Sequence, residues 1–319
     1  MYKFKPLLKQ TIWGGERIIP FKHLDETLTQ VGESWEISGI PGNETVVADG
    51  PEAGLTPGEL VARHREQLVG AANYHRFGNE FPLLIKFIDA KQNLSIQVHP
   101  NDEAARLQGR LHGKNEMWYT LPSTGGGFIY DGLKHRLTPA EYKRRVADDT
   151  ICDALARYDI VEGDVFFIPA GRIHSIGAGC FVIEIQQTSD ITYRIYDFGR
   201  RDANGNPREL HTELAAESID YSVRDDYRTH YTCHKNMRNE VVSCPFFTTA
   251  VYDIDRPMTL DYSALDAFVI LIAAKGAGTI ADESGTSQPF SAGDTLLLPA
   301  TTNAVTVGGN LKFLETYVI

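Results

Sequence analysis

Gly163-Asp164-Val165-Phe166-Phe167-Ile168-Pro169-Ala170 is answered later in the chain by Gly293-Asp294-Thr295-Leu296-Leu297-Leu298-Pro299-Ala300. In both stretches a Gly-Asp turn feeds an apolar strand that stops at proline, which has no N–H for a sheet ladder. His174 stands eleven residues after Gly163, and Ala304 eleven residues after Gly293. A glycine-bearing turn and a closing strand follow each copy, Cys180–Gln186 in the first and Leu311–Val318 in the second. The economical reading is two related β-barrel domains, of which only the first carries a metal-binding histidine. Coincidence between two common hairpins is the competing reading.

Outward from these copies, the chain keeps the same character. Short apolar or alternating runs are separated by glycine and proline turns: Phe81–Ile88, Leu94–His99, Glu116–Thr120, Asp164–Pro169 and Cys180–Gln186. Strands of this length and spacing predict a sandwich or barrel. Three segments break the pattern. Thr56-Pro57 with Glu59 is a capping box that opens a helix through about Leu68. Asn101 begins a second helix through about Leu111, and Thr138-Pro139-Ala140-Glu141 opens a third that runs toward Ala156 with one interruption. So few helices exclude alternating βα units and a parallel sheet. Arg200–Arg208 reads as a surface loop, Glu213–Arg228 as charged and irregular, and a second strand-rich region starts near Tyr231. The expected division is residues 1–230 and residues 231–319.

A chain of 319 residues is long enough for a large core and two domains. Hydrophobic residues at 42% and charged residues at 23% exclude a disordered or fibrous chain. The formal net charge of −11 argues against a nucleic-acid partner, because a phosphate backbone attracts basic surfaces. The start, MYKFKPLLKQTIWGG, has no apolar signal-peptide core, and no run approaches a membrane span. Cys152, Cys180, Cys233 and Cys244 form no CxxC pair, so reduced thiols in the cytoplasm are expected.

The chemistry starts at Ser95-Ile96-Gln97-Val98-His99. Side chains two apart share a strand face, so Gln97 and His99 project together. Glu116 and His174 add a carboxylate and a second imidazole, giving two nitrogens and two oxygens. Zinc accepts His and carboxylate readily and glutamine less often, while iron, manganese or cobalt remain open. The other eight histidines read as surface or supporting residues, with His112 the least safe to exclude because Gly113-Lys114-Asn115-Glu116 follows it. Two cations stand beside these motifs. Lys114 lies two residues before Glu116, and Arg194 lies in Thr192-Tyr193-Arg194-Ile195-Tyr196. Solvent-facing or salt-bridged roles compete with chemical ones for both. Lys86 inside the apolar strand Phe81–Ile88 needs a partner or a pocket, since burying a bare ammonium is costly. Glu36, in Gly32–Ser38, is the carboxylate expected to pair with it.

In family order the chain carries Leu8–Gly15, Gly32–Ser38, Pro82–Lys86, Leu94–Pro100, Gly113–Tyr119, Pro169–Ser175 and Tyr193–Arg200. Over about the first 200 residues it therefore resembles the type I mannose-6-phosphate isomerases, in their short bacterial form. The resemblance implies a mainly β fold of cupin-type jelly-roll barrels with a few helical insertions. It implies one zinc per chain, bound by Gln97, His99, Glu116 and His174. It implies proton transfer between C1 and C2 of a sugar phosphate through a cis-enediol, with Arg194 as the active-site arginine and Lys114 as an acid–base group. Glu36, Lys86 and Trp13 are the expected substrate contacts. The large helical domain of longer members is absent or cut down, and the C-terminal region matches loosely, as a barrel without ligands. The expected partner is a small sugar phosphate, with no nucleic acid and no membrane, bound by a monomer or weak homo-oligomer. Another cupin metalloenzyme, such as an oxygenase, and a non-catalytic sugar-phosphate binder are the rival readings.

Overall fold

The computed structural model describes residues 1–123, 125–201 and 204–319. Of the loop expected over 200–208, residues 202 and 203 lie outside the described residues. Three antiparallel sheets carry the fold. The large sheet runs in the order Arg228–Thr229, Val165–Ile168, Glu116–Thr120, Phe181–Gln187, Leu83–Asp89, Val31–Ile37, Leu7–Gly15. The small sheet runs Tyr193–Tyr196, Ile96–Val98, His174–Ile176, Phe128–Leu133, Leu155–Asp159. The C-terminal sheet is built on two long strands, Val269–Asp282 and Ala304–Tyr317, with Thr248–Ile254 and Asn239–Ser243 on one side and Ser287–Ser291 on the other.

Apolar alternation decides how these layers stack. Trp118, Phe166, Ile168 and Val182 of the large sheet pack against Ile129 and Ile176 of the small sheet, closing the first barrel. The opposite face of the large sheet presents Ile37, Leu83, Ile85, Phe87, Met117 and Ile183 to Phe268, Ile270, Ile272 and Leu314 of the C-terminal sheet. The two strand-rich units therefore share one core. Tyr2 also crosses between them, exchanging backbone bonds with Leu297 at 2.8 and 2.9 Å. The second barrel is filled by Leu271, Ala273, Phe290, Leu296, Val307, Phe313 and their neighbours.

The Gly-Asp repeat is structural. Gly163 and Gly293 both take φ +92°, open to glycine and strained for other residues. Their N–H groups donate at 3.0 Å to Thr120 and Ala273 carbonyls. Asp164 and Asp294 each accept the N–H three residues upstream, from Val161 at 3.0 Å and Ser291 at 2.8 Å. His174 and Ala304 each begin the strand that follows.

Both capping boxes form, at Thr56 with Glu59 and at Thr138 with Glu141. The first helix is shorter than expected: it ends at His64, and a separate turn covers Glu66–Val69. The break is at Arg65, whose φ of +49° and ψ of −126° leave the helical region. The second helix spans Asp102–Leu107, with Asn101 as its cap. The third, Pro139–Ala147, ends before Asp149, whose φ of +55° makes the expected interruption. The segment after Glu213 is not irregular throughout, because Thr212–Ser218 is helical. Ala215 and Leu214 pack with Tyr142 and Val146 over the outer face of the small sheet, a tertiary contact that its charged sequence hides.

Candidate metal centre and active-site pocket

Gln97 pairs in register with His174 on one side and Arg194 on the other. The three side chains form a row on the small sheet. His99 follows two residues after Gln97, and Glu116 enters from the large sheet opposite. The ligand atoms of His99, Glu116 and His174 lie within 4.8 Å of one another, and all three residues are buried. His99 Nε2 stands 3.4 Å from one Glu116 oxygen and His174 Nε2 3.4 Å from the other.

The surrounding bonds leave the inner atoms free for a cation. His99 Nδ1 donates to the Ile191 carbonyl and His174 Nδ1 to the Arg172 carbonyl, both at 2.8 Å. Each neutral ring then turns an Nε2 lone pair inward. Burial pushes the His99 imidazole down to about 4, with Lys114 adding to the effect, and burial also lowers His174. Burial alone would raise Glu116, but Lys114 and His99 hold its carboxylate well below the usual range. Its buried Oε1 has no hydrogen-bond donor. Gln97 brings its amide to 3.3 Å from His174 Nε2. Rotating that amide by half a turn offers the carbonyl oxygen instead. Two imidazoles, a carboxylate with an undonated oxygen and an amide oxygen fit a divalent metal.

A cavity of about 560 Å³ reaches this trio through Gln97 and Lys114, and Trp13, Lys86 and Arg194 also line it. Lys114 bridges the metal ligands to the large sheet. Its Nζ contacts Glu116, lies 3.3 Å from His99 Nε2 and 3.7 Å from Glu184 Oε1. Arg194 donates through Nη1 to the Glu209 carbonyl at 2.9 Å. Its buried Nε has no acceptor.

Lys86 does have a carboxylate partner, but it is not Glu36. Trp118, Glu184, Lys86 and Trp35 stand side by side across four strands. Lys86 Nζ is 3.1 Å from Glu184 and 4.0 Å from Glu33, and lies 4.8 Å from the centre of a Trp35 ring. Burial would lower its pKa, yet Glu33 and Glu184 raise it, so the ammonium stays charged. Glu184 also accepts from Trp118 Nε1 at 2.8 Å. Sequence reasoning passed over Glu184, although a carboxylate inside Phe181-Val182-Ile183-Glu184-Ile185 carries the same signal as Lys86.

Glu36 is not brought to this cavity. In Val31–Ile37, Glu33 lines the pocket, whereas Glu36 faces the C-terminal unit through Lys22, which also bonds the Gly293 carbonyl. Glu36 accepts from Lys22 at 2.7 Å and from Ser34 Oγ at 2.6 Å, all buried. Glu36→Ala would leave the Lys22 ammonium with the Gly293 carbonyl but no counter-charge, a cost of up to about 3 kcal/mol for a broken buried pair. A clear fall in melting temperature with unchanged metal content is the expected outcome, and metal loss without destabilisation would contradict this placement. His112 is also outside the ligand trio, pairing with Glu80 at 2.8 Å.

Comparison with known proteins agrees with this geometry. Residues 1–127 match the catalytic domain of type I phosphomannose isomerase, and residues 237–318 match the mannose-6-phosphate isomerase cupin domain. The mannose-6-phosphate isomerase ManA of Bacillus subtilis is 33% identical over 300 residues, covering 93% of this chain and 92% of the relative. The mannose-6-phosphate isomerase of Streptococcus mutans is 32% identical over 316 residues, covering 97% and 96%. A crystal structure of the Bacillus subtilis mannose 6-phosphate isomerase superposes with a TM-score of 0.89 at 30% identity, covering 99% of each chain. A phosphomannose isomerase variant from Salmonella typhimurium shares the fold, with a TM-score of 0.81 at 14% identity over 100% and 99% of the chains. With the cupin architecture, the buried ligand trio and relatives matching along nearly its whole length, the chain belongs to the type I phosphomannose isomerase family.

Proposed function

We propose that the protein interconverts D-mannose 6-phosphate and D-fructose 6-phosphate with one zinc ion held by Gln97, His99, Glu116 and His174. The observation that carries this reading is the buried His99–Glu116–His174 trio in contact with Gln97 and Lys114, which line a cavity together with Arg194. When bound, zinc stabilises the oxygen charge that develops as a proton leaves the carbon beside a carbonyl. Lys114 moves the proton between C1 and C2, and its contacts with Glu116 and Glu184 hold its amine at that point. Arg194 keeps a fixed, planar set of donors at the developing enediolate. Trp13 and Lys86 line the wall against which the sugar lies. The unit from residue 231 onward is a supporting barrel without a metal.

The formal charge of −11 favours a small substrate over a nucleic acid. Free thiols at all four cysteines suit the reducing cytoplasm. No helix among the described residues is long and apolar enough to cross a membrane. The test is a coupled assay on chelator-stripped protein. Turnover of mannose 6-phosphate is expected to vanish on stripping, to return with about one equivalent of zinc and to be equal in air and under nitrogen. A requirement for oxygen would favour the oxygenase reading. Zinc-loaded, folded protein that binds the sugar phosphate without converting it would favour a binder.

A further inference from the structure

The row that carries Arg194, Gln97 and His174 continues one strand further, to Asp131. Asp131 is fully buried, and neither of its carboxylate oxygens has a hydrogen-bond donor among the described residues. Its one ion-pair partner there is Arg172, itself buried, whose Nε lies 3.6 Å away. Arg224 adds a second, more distant positive charge. Burial works against both charges of the pair, and each partner opposes that effect on the other. A charged pair this deep is costly to desolvate, so stability alone is a poor reason for it.

The turn that Arg172 closes supplies a better one. Arg172 N–H donates to the Pro169 carbonyl at 3.1 Å, and Gly171 between them takes φ +88°. This turn bonds beside each of the three ligands. Ala170 N–H donates at 2.9 Å to Oδ1 of Asn115, the residue before Glu116. Gly171 N–H donates to the backbone carbonyl of His99 at 2.8 Å. The Arg172 carbonyl accepts from His174 Nδ1 at 2.8 Å. The Arg172 side chain is in turn held at three points. Its Nη1 donates to the Phe167 carbonyl at 2.8 Å, its guanidinium lies 4.9 Å from the centre of the Tyr227 ring, and its Nε faces Asp131. Tyr227 is seated as well. Its hydroxyl donates to the Leu133 carbonyl at 3.1 Å, and its ring lies 2.2 Å from where a Cβ on Gly132 would stand.

We infer that Asp131 and Arg172 are positioning residues for the metal centre, acting through the turn at residues 169–172. The inference rests on the metal-binding reading given above. Neither side chain is a ligand. Their mutual attraction holds the turn, and the turn holds the His99 backbone, the Asn115 amide beside Glu116 and the His174 ring. The bond to His174 is the most direct link. The Arg172 carbonyl keeps the imidazole proton on Nδ1 and leaves Nε2 facing Glu116. A shift of the turn would therefore reorient His174 and disturb the segments of His99 and Glu116 at the same time. The buried pair thus fixes the spacing of three ligands that come from three different strands or strand ends.

The test measures zinc affinity by competition with a chelator, together with the visible absorption of cobalt-substituted protein, which reports ligand geometry. Asp131→Asn and Arg172→Gln are each expected to weaken zinc binding by about 10–100-fold, the range for altered outer partners of metal ligands, and to shift the cobalt bands. Arg172→Lys keeps the charge without the planar fork, so it should fall between wild type and Arg172→Gln. Both charge-removing single variants should also melt lower, because one buried charge loses its partner. The double variant Asp131→Asn with Arg172→Gln removes both charges. Its melting temperature should return toward wild type while its zinc affinity stays low. That split separates positioning from structural support, and the double variant carries the same readouts where a single variant does not fold. Wild-type zinc affinity with unchanged cobalt bands in the folded variants overturns the assignment, as does a double variant that regains both stability and affinity. Wild-type protein that takes up neither metal would overturn the metal-centre reading itself, and this assignment with it.

Discussion

His174→Ala should remain folded, lose its zinc and lose nearly all turnover. His174 is fully buried at the start of its strand, and its ring stands beside Trp118. Truncation leaves a small polar gap in the barrel, not a broken sheet, because the strand's backbone pairings to Gln97 and Asp131 do not use the imidazole. The metal site loses more. Glu116 Oε1 lies 3.4 Å from His174 Nε2 and has no hydrogen-bond donor, so two lone pairs converge where only a cation can balance them. Mutating the outer partners of metal ligands typically costs about 10–100-fold in affinity or activity. Loss of a ligand should exceed that range, leaving zinc well below stoichiometric and turnover down by at least ~100-fold. His112→Ala serves as the contrast, because His112 pairs with Glu80 and not with the trio. Elemental analysis, thermal melting and the coupled assay on both variants decide the matter. Full zinc content and near-normal turnover in His174→Ala would refute the ligand assignment.

The parts of this site legible in the sequence are those fixed by strand periodicity. Gln97 and His99 share a face because they are two apart, and the structure turns both toward the same centre. The Gly-Asp turn was readable because a φ of +92° restricts the residue type and because Asp closes the turn through its own side chain. Choosing between two faces was harder. Period two groups Ser34 with Glu36, but it does not say which group meets the pocket, and Glu36 turned to Lys22. The partner of Lys86 lies about a hundred residues away on a neighbouring strand, and strand order is set by packing of the whole barrel. The place of Arg208 and His211 on the cavity wall was hidden for a related reason. A polar, glycine-bearing segment resembles any solvent loop until its backbone is seen bonded to Arg194. The helix Thr212–Ser218 likewise owes its burial to Tyr142 and Val146, not to a strong apolar stripe of its own.

Removing the Arg194 side chain should cost turnover far more than affinity for the sugar phosphate. Arg194 is the in-register neighbour of Gln97 in the sheet and lines the same cavity. Its Nη1 is anchored on the Glu209 carbonyl, while Nε is buried and unbonded. A buried donor without an acceptor is costly unless something arrives to use it. An oxygen that gains charge only as the proton leaves C1 or C2 is such an acceptor. Arg194→Ala is therefore expected to lower kcat by about 100-fold or more, the scale for losing one donor to a developing oxyanion. KM should change much less, because the phosphate keeps its own contacts. Lysine at this position retains the charge but loses the planar fork, so it should restore little. Zinc content and melting should stay near wild type, since the anchoring contact is to an exposed loop carbonyl that water can satisfy. The outcome that would end the catalytic role is a folded, zinc-loaded Arg194→Ala with near-normal turnover at saturating substrate and a raised KM. That pattern would mean the interaction is equally strong in the ground and transition states, and it would make Arg194 a substrate-binding residue, not a catalytic one.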